Sequence, residues 1–131
     1  MGTVDWLRDV TDAGPAELRD DTRFRPHPSR PVSVQVMGPN SIDVLTARDI
    51  ALKGVGIYLP HGFAGWRTQP DVELVITLPG QRPFLTKGKV RHRTSAFGDE
   101  SFFGVEFVDL AKQRREQIRR YLDSGIASRI N

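Results

Sequence analysis

The chain has 131 residues and a formal net charge of +3, a size that fits one domain. It contains no cysteine, which excludes disulfides, thiolate catalysis, iron–sulfur clusters and cysteine-based zinc sites. Its apolar runs are far shorter than the roughly 20 residues that span a bilayer, and its N-terminus lacks the pattern of a secretory signal. We therefore expect a cytoplasmic protein without membrane insertion.

The N-terminal segment, residues 1–22, reads as a short helical lead-in. Trp6, Leu7 and Val10 are spaced so that they fall near one face of a helix. The next segment, Arg23–Pro31, contains three prolines and three arginines. Because proline disfavours helix, this segment is predicted to be an extended arm that leads into the fold.

Strand patterns dominate the middle of the chain. Val32, Val34 and Val36 alternate with polar residues, as in a half-buried strand. Similar patterns, separated by turns rich in glycine and proline, predict five further strands. The six predicted strands cover residues 32–36, 42–51, 54–59, 72–78, 84–93 and 103–107.

A helix is predicted to close the domain. Asp109 is a plausible N-cap, and Gly125 is placed to end the helix in a left-handed turn. Five apolar residues recur at helical spacing and form one stripe: Leu110, Ala111, Ile118, Tyr121 and Leu122.

These elements predict a mainly β fold, a six-stranded antiparallel barrel over residues 23–123 that includes the C-terminal helix, followed by a tail at 124–131. No helix separates successive strands, which argues against a parallel α/β sheet.

Three features of the sequence are informative in combination. The first is the arginine-bearing arm that runs into the first barrel strand. The second is Asp49–Ile57 at the junction of strands two and three, and the third is Gly88-Lys89-Val90 followed by Phe103–Phe107 and a helix. Together these features resemble the PilZ domain family. The resemblance implies a barrel of a kind that commonly receives the bacterial second messenger cyclic di-GMP.

The family's usual ligand motif has two arginines with three residues between them, then Asp or Asn, any residue, Ser, two more residues and Gly. In this sequence the resemblance implies a ligand site made of Arg23, Arg25, Arg30, Asp49, Ala51 and Gly54. Arg25 and Arg30 have four residues between them rather than three, and Ala51 stands where the motif has serine. These departures favour a partly eroded site.

Each of these residues also has a plain structural interpretation. The arm arginines form either a phosphate clamp or a solvated surface, and Asp49 either contacts guanine or caps the turn before Gly54. Phe63 and Trp66 lie in a glycine-rich loop, where they either plug a barrel end or anchor a protein partner.

Other kinds of site find little support in the sequence. The three histidines are far apart and lack ligand spacing, so no metal site is expected. No acid–base pair, nucleophile elbow or phosphate loop is recognisable, so we do not expect an enzyme or a bound cofactor. A basic stripe on the fifth predicted strand leaves nucleic-acid binding open as an alternative. The stripe consists of Lys87, Lys89, Arg91 and Arg93.

Three functions follow as hypotheses. The first is a PilZ-type regulatory adaptor in bacterial signalling or motility, which acts through protein contacts and has an eroded cyclic di-GMP site. The second is a working cyclic di-GMP receptor that uses Arg25, Arg30 and Asp49. The third is a small basic barrel that binds nucleic acid.

Overall fold

The computed structural model describes residues 19–38, 42–59, 71–95 and 101–130. Most of the predicted helical lead-in therefore lies outside the described residues. The part that is described, Arg19–Thr22, contains a turn in which the Thr22 amide donates a hydrogen bond to the Arg19 carbonyl at 3.0 Å.

The described residues form a mainly β fold with one helix. The two shortest strands lie near the ends of the described chain: β1 (Phe24–Arg25) and β8 (Ser128–Arg129). The other strands are β2 (Ser33–Met37), β3 (Ile42–Ala51), β4 (Gly54–Tyr58), β5 (Asp71–Thr77), β6 (Phe84–Ser95) and β7 (Ser101–Val108). The helix, α1, spans Lys112–Asp123.

Six of the strands close into an antiparallel barrel, as the sequence predicts. The order β2-β5-β6-β7-β4-β3 is closed by pairing of β3 with β2. Alternating valines explain the closure, because Val34 and Val36 on β2 are fully buried while the residues between them are partly exposed. Their burial drives the sheet to curl around a single apolar core.

Strand β3 contains a bulge that positions the candidate site. Its register against β4 shifts between Ala47 and Asp49. Ala47 belongs to the apolar core before the shift and Ile50 after it, so the inward positions change from odd to even numbers. Consecutive residues normally face opposite sides of a sheet. The bulge instead places Arg48 and Asp49 together on the outer face.

Helix α1 covers the barrel through Ile118, Tyr121 and Leu122, which are buried as predicted. The predicted N-cap is wrong. Asp109 has a positive φ of 52°, and Ala111 occupies the N-cap without a side-chain hydrogen bond. Asp109 is used to turn the chain out of β7, so its carboxylate does not cap the helix.

The two shortest strands pair with each other outside the barrel. Phe24 on β1 pairs with Ile50 on β3 and with Arg129 on β8. Ala127, just before β8, lies in the apolar core. Residues of the predicted tail therefore hold the start of the arm at the edge of β3.

Candidate functional site

The carboxylate of Asp49 is the centre of the candidate site. Its side chain is only 7% exposed, and both of its oxygens are paired. Arg23 Nη1 donates to Oδ1 at 2.8 Å, and Arg48 Nη1 donates to Oδ2 at 2.8 Å. A buried carboxylate with two guanidinium partners keeps its charge at a tolerable desolvation cost.

A glycine on the neighbouring strand makes room for this carboxylate. A Cβ atom on Gly56 would lie 2.8 Å from Asp49 Oδ1 and 2.9 Å from Oδ2, too close for real atoms. Gly104 on β7 is directly opposite Gly56 in the sheet. The two glycines give the site a floor of bare backbone.

Two adjoining clefts of about 200 Å³ each open beside Arg23 and Gly104. We call the first the carboxylate cleft. It is lined by Arg23, Arg48, Asp49, Gly56, Phe102, Gly104 and Ile130. The second, the flanking cleft, is lined by Arg23, Lys53, Gly54, Arg91, Gly104, Val105 and Glu106. Together they present several cations around one buried anion.

Arg48 is the most constrained of these cations. Its guanidinium carbon lies 4.1 Å from the centroid of the Phe102 ring, in a cation–π contact. Its Nε is buried and has no hydrogen-bond partner among the described residues. Arg48 is therefore fixed by the Asp49 carboxylate and the Phe102 ring.

The flanking cleft contains a second ion pair, between Arg91 on β6 and Glu106 on β7. The hydrogen bond from Arg91 and its positive charge hold the pKa of Glu106 below the ordinary value, with a smaller contribution from Lys53. Glu106 is therefore ionised at neutral pH and offsets part of the positive charge of the flanking cleft.

The structure brings some of the predicted ligand residues together. Arg23 and Asp49 are in contact, and Gly54 lines the flanking cleft beside Arg23. A side chain on Gly54 would strike the Val105 carbonyl at 2.5 Å, so this glycine serves close packing. Ala51 is fully buried and is absent from the apolar core cluster, which places it on the outer face with Asp49.

The other two predicted arginines lie elsewhere. Arg25 is exposed on β1 and pairs in register with Ser128. Arg30 is exposed, and its charge affects Tyr121 on α1. Burial raises the pKa of Tyr121, and the positive charge of Arg30 partly opposes that rise. Neither arginine lines the two clefts around Arg23.

Arg19 is a candidate that the sequence analysis did not single out. Three residues separate it from Arg23, which is the spacing of the family motif. The turn at Arg19–Thr22 brings the two arginines within one turn of chain. The Arg19 side chain is 78% exposed, with one ion contact to Asp21 at 3.5 Å, so it is free to move. The sequence alone contains this spacing. Arg19 was missed because the predicted helical lead-in covers residues 1–22, whereas the predicted arm begins at Arg23.

Two further predictions are addressed only in part. On the basic stripe of β6, Lys89 pairs with Asp71 at 3.3 Å and Arg91 with Glu106, so the positive charge is partly neutralised. Phe63 and Trp66 lie outside the described residues. Within the described ranges, no three His, Cys, Asp or Glu side chains are grouped to hold a metal ion, and no helix is long and apolar enough to cross a bilayer.

Comparison with known proteins gives a family match. The PilZ domain family matches residues 17–124. The matched range begins before Arg19, so it includes both Arg19 and Arg23. A search of curated proteins gives no match.

Several solved structures share the fold. The Bacillus subtilis inhibitor of motility (MotI/DgrA) is 20% identical with a TM-score of 0.64, over 82% of this chain and 53% of that one. The PilZ domain of YcgR from Escherichia coli with c-di-GMP is 14% identical with a TM-score of 0.59, over 78% and 86%. The Borreliella burgdorferi PlzA protein in complex with c-di-GMP is 9% identical with a TM-score of 0.58, over 95% and 60%. The chain thus spans little more than half of MotI/DgrA and PlzA.

Proposed function

The chain belongs to the PilZ domain family, and we propose that it is a non-enzymatic regulatory domain that binds cyclic di-GMP between Arg19, Arg23 and Asp49 and passes the signal on through protein contacts. The observation that carries this proposal is the 2.8 Å pair between Arg23 and Asp49, which joins the two halves of the family motif. A cytoplasmic location belongs to the same proposal, because the ligand is an intracellular messenger.

The pair suggests how the ligand enters. A phosphate of cyclic di-GMP replaces the Asp49 carboxylate as the partner of Arg23, because an arginine fork grips either group. The freed Asp49 Oδ1 then accepts hydrogen bonds from the N–H groups on a guanine edge. Arg23 exchanges one anionic partner for another. Asp49 exchanges a guanidinium for neutral N–H donors but keeps Arg48 on its other oxygen, so no buried charge is left unpaired.

Arg48 stays in place during this exchange. It holds Asp49 Oδ2 at 2.8 Å and is itself held against Phe102. Once Arg23 turns to the phosphate, Arg48 compensates the charge of the buried carboxylate and fixes its orientation. We therefore assign Arg48 as a positioning residue for guanine recognition.

The arginine spacing favours a working receptor over an eroded site. The hypothesis of erosion depends on Arg25 and Arg30, whose spacing departs from the motif. Arg19 and Arg23 have the required three intervening residues, and Arg23 is already at the site. The remaining departure is Ala51, which withholds one hydroxyl worth about 1 kcal/mol of ligand contact.

The turn that carries Arg19 is also tied to the rest of the fold. The Lys53 amide donates to the Asp20 carbonyl at 3.2 Å, and Arg115 on α1 forms an ion pair with the Asp20 carboxylate. A ligand that pulls Arg19 inward therefore acts on the contact between Asp20 and α1. This gives the bound messenger a route to the helix.

Calorimetric titration with cyclic di-GMP tests the proposal. We expect binding by the wild-type chain and a loss of about tenfold to a hundredfold in Arg23→Ala, as a charge-assisted contact worth roughly 1.5–3 kcal/mol implies. Arg25→Ala on the same arm is the matched control and should bind within about twofold of wild type.

Absence of binding by the folded wild-type chain would refute the receptor. It would favour the second candidate, an adaptor with an eroded site that works through protein contacts alone, a candidate that Ala51 supports. An equal loss in Arg25→Ala would show that the ligand binds the arm as a whole and not specifically at the Arg23–Asp49 pair.

A further inference from the structure

A third cleft lies away from the Arg23–Asp49 site, between α1 and the turn that joins β5 to β6. Its volume is about 820 Å³. We call it the helix cleft. Four cations and one carboxylate line it: Arg82, Lys112, Arg114, Arg120 and Glu116. The helix cleft is therefore strongly basic.

Its cations form no ion pair with an acidic residue of the described part of the chain. Of the ion pairs formed within the described ranges, none involves Arg82, Lys112, Arg114 or Arg120. Elsewhere on the same surface, exposed cations such as Lys89 and Arg91 are paired with carboxylates. The helix cleft thus gathers in one place four cations that form no ion pair with any described residue.

The floor of the helix cleft is rigid. Gln117 is buried, and its amide donates to Gln81 Oε1 at 3.3 Å and to the Arg82 carbonyl at 3.2 Å. Its Oε1 accepts from Arg114 Nη1 at 2.9 Å, while the Arg114 guanidinium lies 5.8 Å from the centroid of the Phe84 ring. One of the five N–H donors of Arg114 is used in this way, and the others are left for a ligand.

The start of α1 adds to the same field. Lys112 and Gln113 are at the N-terminal end of the helix and line the helix cleft. The first turn contains no acidic residue, and Ala111 provides no side-chain cap. The positive end of the helix dipole therefore acts in the same direction as the four cations.

We propose that the helix cleft is a docking site for an acidic segment of a partner protein, a stretch of chain rich in Asp and Glu. Charge complementarity supports an anionic occupant. Of the three glutamines in the lining, Gln81 and Gln117 are bonded to each other, whereas the exposed Gln113 suits the amides and carbonyls of a peptide. A single-stranded nucleic acid fits less well, because no aromatic side chain is among the described lining residues to stack a base.

A labelled octaglutamate peptide tests the site in fluorescence anisotropy, with a serine–glycine peptide of equal length for comparison. We expect the acidic peptide to bind at low salt and to dissociate as salt rises. Arg82→Glu and Arg120→Glu should each weaken binding by about tenfold. Lys87→Glu is the matched control, because Lys87 is an exposed cation on β6 outside the helix cleft, and should leave binding unchanged.

Backbone amide chemical shifts of the wild-type chain, measured by NMR, give an independent test that does not depend on whether a variant folds. The peptide should perturb residues 80–82 and 112–120. Three results would overturn the proposal: no binding at low salt, an equal loss in Lys87→Glu, or tighter binding of duplex DNA than of the peptide at the same residues. None of these results depends on cyclic di-GMP, so the experiment tests the helix cleft independently of the proposed cyclic di-GMP receptor.

Discussion

Arg23 and Asp49 are 26 residues apart in the chain and share a 2.8 Å hydrogen bond at the surface of the barrel. The bulge in β3 turns Asp49 outward, and the pairing of β1 with β3 holds the arm beside it. The contact is an ion pair in this structure and a candidate point of exchange when a phosphate arrives.

Gly56→Ala should disturb the candidate site directly. The added methyl would lie within 3 Å of both Asp49 carboxylate oxygens, so the carboxylate must move. We expect a loss of about 1–3 kcal/mol in unfolding free energy, measured by urea denaturation, together with weaker cyclic di-GMP binding. In an Asp49→Ala background the same substitution should cost less, because the clash is gone. Equal costs in the two backgrounds would show that Gly56 matters for another reason.

Ala51→Ser restores the hydroxyl of the family motif. Ala51 is fully buried beside Asp49, so an added hydroxyl lowers stability in the free protein unless it finds a partner. In the complex it can meet the ligand, and we expect about fivefold tighter binding by calorimetry, equivalent to about 1 kcal/mol. Ala47→Ser is the control, since Ala47 lies on the same strand but faces the apolar core of the barrel. A similar gain there would rule out a ligand contact at position 51.

Two substitutions on α1 separate packing from polarity. Ile118→Ala removes a fully buried side chain and should cost about 2–4 kcal/mol of unfolding free energy. Tyr121→Phe removes a hydroxyl that is buried without a hydrogen-bond partner among the described residues. We expect its stability to be unchanged or raised by up to about 1 kcal/mol. A large loss in Tyr121→Phe would mean that the hydroxyl is bonded in solution.

Glu106 should titrate below its ordinary pKa of 4.5, because Arg91 stabilises the charged form. Because folding lowers this pKa, ionised Glu106 stabilises the folded protein at pH values above its pKa in the unfolded chain. That stabilisation is lost as the pH falls through its pKa in the folded protein. The side-chain carboxyl shift of Glu106, followed by NMR against pH, measures this directly. Arg91→Ala should return the pKa towards 4.5, and an unchanged midpoint would place the cause elsewhere.

The strands of the barrel could be predicted from the sequence because the alternation of apolar and polar residues is a local pattern. Alternating valines in β2 and alternating apolar residues in β5 fix which face of each strand is buried. The apolar stripe on α1 likewise determines which face of the helix is buried. The predicted N-cap is wrong because the residue type of Asp109 favours a cap, whereas its backbone, with a positive φ, forms the turn after β7.

The candidate site was only half predictable, because the residues that form it are distant in sequence. Asp49, Gly54 and the motif spacing between Arg19 and Arg23 could be read from the chain. Three facts required the folded protein: that Arg23 rather than Arg25 or Arg30 reaches Asp49, that the bulge adds Arg48 on the same face, and that Gly56 gives the carboxylate its space. Side-chain periodicity sets which face is apolar, whereas strand register and bulges decide which polar groups meet, and these depend on pairing between remote segments.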